Sequence, residues 1–384
     1  MRIVVTGLIG QYAFGGVTWD YIQYVLGFRA LGHDVWYLED TGTWAYDPVK
    51  QEPSADCSHN TAYLARVMSD FDMGDRWLYR NAADGSWHGA SGAEKILSSA
   101  DVLANVSGAC WLQPETAGIP RKLFLDGDPM FTHIGIVSGN KPENAKNVAA
   151  HDKHFSFGLN IGKPGCKVPT GGIEWHPTVQ PIALEYWSAP ADPGKAASIA
   201  AGAWTTVMNW ASYAPKEFEG EKYGQKDIEF ERFLDLPGMT SETFVLAMGQ
   251  GVGSNRPTAM LESKGWKIIE PDEFLPDYRT YRDFLCGSKG EWSIAKNGYV
   301  RSQSGWFSCR SACYLAAGKP VVVQDTGWSR HLPSGNGVLA FNTQAEAATA
   351  LEAISKNYAH HSQAARAFAE QHFDAAKVCD ALLA

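Results

Sequence analysis

The chain has 384 residues, 45% apolar and 20% charged, with a formal net charge of -9 and a pI near 5.7. That length exceeds one ordinary core and leads to an expectation of two domains of similar size. The acidic balance, without a Lys/Arg cluster, argues against a nucleic-acid partner, and seven scattered cysteines without a CxxC pair argue against a disulfide framework or zinc knuckle.

Met1-Arg2 leads straight into Ile3-Val4-Val5, a short buried strand, so no signal peptide is expected ahead of it. No apolar run approaches the roughly 18 residues of a membrane helix, and the expected compartment is the cytoplasm. Residues 17–31 carry apolar side chains at a helical spacing that Gly32-His33 ends, and Val35 to Leu38 is the next strand, closed by Glu39-Asp40. Helices over 60–71 and 93–99 and strands over 101–106 and 122–125 continue the βαβ alternation, which implies a parallel sheet with helices on both faces. Residues 163–193 are rich in proline and glycine and read as the loop-rich passage between two domains.

A second series follows, with strands over 205–210, 244–248, 267–269, 321–323 and 338–341. Its helices run over 258–264, 278–285, 307–317 and 344–357, before an Ala-rich helical tail over 359–383. The expected fold is α/β, two doubly wound Rossmann-like domains (1–185 and 186–360) facing across a cleft, with a C-terminal helix (361–384) packing back on the first. In such sheets the ligand sits at the strands' carboxyl ends, so it belongs in the cleft.

The first turn, Thr6-Gly7-Leu8-Ile9-Gly10, resembles the TGxxGxxG turn of short-chain dehydrogenases and sugar-nucleotide epimerases, with Glu39-Asp40 where a ribose-binding acid would fall. Ala13 replaces the third glycine, however, and Phe14-Gly15-Gly16 delays the helix, leaving no helix N-terminus directly behind a phosphate. That family's Tyr-x3-Lys pair has only Tyr46 and Lys50 to match it, too early and with Pro48 inside.

The stretch "FGGVTWDYIQYVLGFRALGHDV" resembles instead the opening of glycosyltransferases of the two-domain GT-B fold, family-4-like bacterial enzymes included. Ser304-Gly305-Trp306-Phe307-Ser308, a helix through Ala316-Ala317, then Gly318-Lys319-Pro320 and three valines resemble the donor-site block of the same enzymes. The resemblance implies that Gly15 and Gly16 bring amides close to a donor's sugar and diphosphate; a plain tight turn is the alternative. It also implies a helix N-terminus open to the diphosphate, with Trp306, Phe307, Ser308, Arg310 and Ser311 around it. Arg256, Lys289 and Lys296 join Arg310 as cations for the leaving group, with a solvated mixed-charge loop as the lysines' alternative. Glu291, in "GSKGEWSIAK", would accept from sugar or ribose hydroxyls, as would Asp325 and Thr326 after the valine strand; Gly253 and Arg256 occupy a comparable strand end. The Glu-x7-Glu spacing of retaining enzymes falls here on Gly305 and Cys313, so the resemblance leaves retention or inversion open.

An inverting course needs a base from the first domain. "LFLDGDPMFTHIG" offers Asp126, Asp128 and His133 at a strand's carboxyl end; Asp20, in the first helix, is a further candidate, with a helix-start acid as its alternative. His151, Asp152 and His154 cluster without a third well-spaced ligand, and Cys309 and Cys313 read as ordinary buried thiols, so no metal and no thiol chemistry is expected. Trp19, Trp44, Trp111, Trp175 and Trp306 lie in loops or at element ends near the cleft, where flat faces suit sugar rings.

The resulting expectation is a metal-independent transferase moving sugar from a nucleotide-sugar co-substrate, a UDP-sugar for example, to a small-molecule or glycan hydroxyl, without other cofactor. A sugar-nucleotide epimerase of the same fold, an NAD(P)-dependent oxidoreductase using the first turn, and a non-catalytic nucleotide-sugar binder are the alternatives.

Overall fold

The computed structural model describes every residue except 49, 51, 140, 141, 253 and 254. In the first sheet the strands lie in the order Trp175–Pro177, Lys153–Ser156, Arg121–Asp126, Val102–Val106, Arg2–Thr6, Asp34–Glu39, Trp77–Arg80, Trp87–Gly89. Only the last pair is antiparallel. The second sheet is parallel throughout, in the order Lys267–Ile269, Phe244–Gly251, Trp204–Ala211, Gly290–Ser293, Val321–Gln324, Val338–Phe341.

Each sheet winds outward from a central strand one way, then the other. The direction reverses between Arg2–Thr6 and Val102–Val106, and again between Trp204–Ala211 and Gly290–Ser293. Crevices for ligands form at such switch points, outside the carboxyl ends. The two sets of carboxyl ends face each other: Asp128, just past Arg121–Asp126, accepts from Lys296, just past Gly290–Ser293.

The helix Gly15–Ala30 is buried nearly all round, as expected of a helix apolar on every face. One side lies on the first sheet; Tyr278–Gly287 of the second domain and the last helix, Ala375–Leu383, cover much of the rest. Trp19 anchors the first of these contacts. Its ring lies 4.7 Å from Trp187 and 5.6 Å from Phe71, and its indole N–H donates to the Tyr278 carbonyl at 2.8 Å.

Several expectations shift. The charged-looking "GSKGEWSIAK" contains a central strand, Gly290–Ser293, because its one acid, Glu291, is neutralised by a buried arginine. Trp77–Arg80, Trp87–Gly89, Lys153–Ser156 and Trp175–Pro177 are strands too short for their pattern to stand out; the last falls in the Pro-rich passage and sits at the sheet edge, where Pro177 is tolerated. The tail is two helices, Tyr358–His372 and Ala375–Leu383, parted where Asp374 caps the second by accepting from the Lys377 amide at 3.0 Å. Among the described residues no helix is long and apolar enough to cross a membrane.

Candidate functional site

The glycine-rich first turn is already filled by an internal anion. Glu39 accepts from the amides of Gly10 at 2.6 Å and Gln11 at 2.8 Å, and from the Tyr37 hydroxyl at 2.7 Å. Burial pushes this carboxyl up to about 7, against the pull of those donors. A dinucleotide phosphate placed here would meet a carboxylate instead of free amides. Gly7 is required because a side chain there would run into Tyr37 and Tyr21.

The second domain's helix Cys309–Ala316 opens on the cleft. Ser308 stands at its N-cap position without using its side chain to cap, so the first-turn amides keep no side-chain acceptor. Ser311 is fully buried one turn in, and its hydroxyl has no protein partner. It lines a cavity with Ser293, Ser308, Trp306 and Gln324 that holds about 10 Å³, space for roughly one water.

Two groups complete this corner, and sequence reasoning missed one of them. Lys226, which starts the helix Lys226–Phe230, lies within electrostatic reach of Arg310 and Lys296, which oppose its charge, and of Glu291, which favours it. Among the described residues no ion pair or hydrogen bond holds its ammonium. Burial, then Arg310 and Lys296, hold its pKa well below the usual lysine range. In the sequence it follows a charged, glycine-bearing hairpin and carries no motif; only the position just after the central strand's connection marks it. From the first domain, half-buried Asp20 reaches the same corner, accepting from the Cys309 thiol beside Arg310. Burial raises its pKa to about 6, outweighing those two neighbours.

Asp128 is the hub between the domains. It accepts from Lys296 at 3.0 and 3.1 Å, from the Tyr213 hydroxyl at 2.6 Å, and from the Tyr299 hydroxyl. Beside it the Trp306 indole donates to the Gly127 carbonyl at 3.1 Å and packs on Tyr299, ring centres 4.5 Å apart. Asn160 strengthens the closure: its side chain donates to the carbonyls of Gln303 at 2.9 Å and Gly327 at 3.1 Å.

Other expected site residues lie elsewhere or act on one another. Asp126 and His133 are buried under the first domain; His133 faces Asp126 at 3.2 Å and the Pro169 carbonyl at 2.8 Å. Burial alone would raise the Asp126 pKa, but His133 and Ser156 outweigh it and hold the carboxyl below its usual range. Neither is placed to take a proton in the cleft. Arg310 is the floor of the cleft, bonded to Glu291 at 2.6 Å, to the Val207 carbonyl at 2.5 Å and to Ser293 at 3.0 Å. With all three nitrogens engaged, it offers no free fork to a diphosphate, and Glu291, fully buried, offers none of its edge to a sugar.

Lys289 pairs with Glu242 at the amino ends of the strands, the far side of the sheet from the cleft. Arg256 pairs with Glu270 and donates to the Met248 carbonyl and to Thr258, and Gly253 lies outside the described residues. Phe307 is core, stacked on Phe373 at 5.5 Å. Asp325 shapes its own turn through Gly327 and Ser329, and Thr326 donates to the Trp306 carbonyl at 2.7 Å. Gly15 and Gly16 abut Asp277 and Tyr281 of the second domain; a Cβ at Gly15 would come within 2.5 Å of the Asp277 carbonyl oxygen. Trp111 is exposed, and Trp175 packs over His133 with ring centres 4.4 Å apart. Among the described residues no three His, Cys, Asp or Glu side chains converge as a metal site.

No protein family and no curated protein matches the sequence. Solved structures do match over the whole chain. Anabaena HepE (Alr3699), solved with UDP and glucose, aligns with 100% of this chain and 98% of its own at a TM-score of 0.57 and 10% identity. An alpha-glucosyltransferase solved with UDP and a 13-mer DNA aligns over 100% and 98% at 0.54 and 14% identity. A glycosyltransferase from Rickettsia africae aligns over 100% and 96% at 0.51 and 11%. Likeness at such identities speaks of architecture, and it agrees with the sheet orders and the facing carboxyl ends: the chain has the GT-B fold, two Rossmann-like domains closed on one another across a cleft.

Proposed function

We propose that the chain is a glycosyltransferase whose second domain binds a nucleoside-diphosphate sugar and whose first domain presents an acceptor hydroxyl. The observation that carries this reading is the unpaired Lys226 beside the open N-terminus of Cys309–Ala316, at the second sheet's switch point. Departure of a nucleoside diphosphate develops negative charge, and a desolvated ammonium with oriented amides stabilises such charge strongly. Lys296 adds a second cation once Asp128 releases it, and the Ser311 hydroxyl a donor. UDP, the ligand solved with HepE and with the alpha-glucosyltransferase, is the donor nucleotide favoured here.

Asp20 is the first-domain group best placed as general base. It stands across from the donor helix, and a pKa of about 6 leaves it ionised yet able to accept a proton near neutral pH. Asp128, which sequence reasoning set in that role, is committed to Lys296 and two phenols. The cavity at the helix end is far smaller than a nucleotide, so donor entry requires the Trp306–Gly127 and Lys296–Asp128 contacts to part.

Calorimetric titration with UDP, GDP, dTDP and NAD tests the reading. A nucleoside diphosphate binds and Lys226→Ala weakens it at least tenfold; NAD binding without any nucleoside-diphosphate binding overturns it. Mass spectrometry after incubation with mixed donors and acceptors separates transfer from binding alone.

A further inference from the structure

We infer that the outer rim of the first domain is a binding site for a neutral oligosaccharide, spanning at least two sugar rings. Calling that saccharide the acceptor rests on the function proposed above; the site itself rests on two observations at the carboxyl edge of the first sheet.

The first is an exposed pair of aromatic rings on a rigid support. Trp44 is 51% exposed and Tyr12 39% exposed, in the loops that follow Asp34–Glu39 and Arg2–Thr6. Tyr46 backs Tyr12 with ring centres 6.0 Å apart, and Phe14 lies 5.9 Å from Tyr46. The loops are pinned from within: Gln11 donates to the Trp44 carbonyl at 2.5 Å, and Asn60 donates to the carbonyls of Gly10 at 2.7 Å and Tyr46 at 2.9 Å. Large aromatic faces held out to water on a fixed backbone suit the C–H face of a sugar ring, because little ordering entropy is left to lose on binding.

The second is a groove of about 570 Å³ on the same edge, between the start of the helix Ser58–Asp70 and the loop joining Trp77–Arg80 to Trp87–Gly89. That volume falls within the range of roughly 300–1,000 Å³ typical of small-ligand sites. Asp56, Ser58, Thr61, Asn81, Asp84 and His88 line it, and among the described residues no lysine or arginine does. Asp84 accepts from Ser86, Asp56 from the Ser58 amide and Asn81 from the Ala83 amide, so these short groups are held in place and keep spare lone pairs for sugar hydroxyls. Lys50, which acts on Asp56 from outside the groove, is itself paired with Asp47 at 3.3 Å; the two carboxylates of the lining therefore disfavour phosphate, sulfate and uronate groups and select a neutral saccharide.

The test screens the full chain against an immobilised panel of neutral and uronic-acid-bearing oligosaccharides of two to six sugars. The strongest retained glycan is then titrated into wild type, Trp44→Ala and Asp84→Ala. The expected result is retention of neutral glycans, a roughly tenfold weaker affinity for Trp44→Ala, a smaller loss for Asp84→Ala, and unchanged UDP affinity in both. Trp44 is half exposed, so its removal leaves the fold intact, and UDP binding serves as the control. Retention of no glycan, retention of acidic glycans alone, or wild-type affinity in Trp44→Ala overturns the proposal. A chain that holds the neutral glycan and binds no nucleoside diphosphate upholds the saccharide site and overturns the transferase reading instead.

Discussion

Nε of Arg310 lies 2.6 Å from Oε1 of Glu291, and the pair is sealed beneath the cleft, with Glu291 fully buried. Burial works against the guanidinium charge, yet Glu291 holds it firmly. Removing one partner of such a pair leaves an unpaired buried charge and typically costs about 3–5 kcal/mol. Arg310→Ala is therefore expected to lower stability by that order in urea denaturation, and Arg310→Met with Glu291→Gln to regain much of it. An Arg310→Ala protein of wild-type stability that has lost only UDP binding would show that the guanidinium serves the donor directly.

On the proposed function, Lys226 is expected to make donor binding a proton-linked event. Its pKa is held low, chiefly by burial and then by Arg310 and Lys296. A diphosphate adds opposite charge and raises it again, so binding takes up protons from solution. Titration of UDP in buffers of different ionisation enthalpy will show a buffer-dependent heat with the sign of uptake. Lys226→Met is expected to abolish that dependence and to weaken UDP binding by about 1.5–3 kcal/mol, the range for hydrogen bonds to charged groups.

Asp20 sets a pH dependence with a definite sign. Its folded pKa of about 6 lies above the ordinary aspartate value of 3.8, so the folded chain keeps a proton that the unfolded chain has released between those values. Stability therefore falls as pH rises through that window, and the ionised form is carried at a cost above it. Transfer activity should rise with an apparent pKa near 6, while Asp20→Asn loses activity and gains a few degrees in melting temperature at pH 8. An Asp20→Asn protein with a wild-type pH–rate profile removes Asp20 from the role of base.

Gly15 and Gly16 separate two degrees of crowding at the domain boundary. A methyl at Gly15 meets backbone, the Asp277 carbonyl oxygen and the Tyr281 Cβ at 2.5 Å, whereas at Gly16 it meets the edge of the Tyr281 ring at 3.3 Å. Backbone cannot yield by that distance, but a ring can shift by tenths of an ångström. Thermal denaturation should show Gly15→Ala lowering the melting temperature markedly and Gly16→Ala lowering it little. Equal effects would mean the helices slide apart more readily than their packing indicates.

The alternation of valine-rich strands with helices made the two-sheet layout readable from the chain, because buried parallel strands are continuous apolar runs. Gly290–Ser293 escaped that reading because its neutralising partner stands nineteen positions away in sequence. For the same reason Arg310 and Glu291 each looked like a ligand for the donor, while in the fold each is the other's ligand. Ser308 and Ser311 could be placed through the helix they begin, a local feature. Lys226 could not, since what marks it is burial among Arg310, Lys296 and Glu291 with no hydrogen bond or ion pair to its ammonium among the described residues, which no spacing along the chain records.

The last helix, Ala375–Leu383, lies against Gly15–Ala30, with the Cys379 thiol directed to the Tyr24 carbonyl at 3.8 Å and Arg121 donating to the Leu383 carbonyl at 2.5 Å. A central helix of the first domain thus gains its outer cover from segments made hundreds of residues later. During synthesis that apolar surface stays bare until the second domain and the tail have emerged. The first half of the chain is thus the last to be finished, and damage to the tail registers as a defect at the opposite end of the sequence.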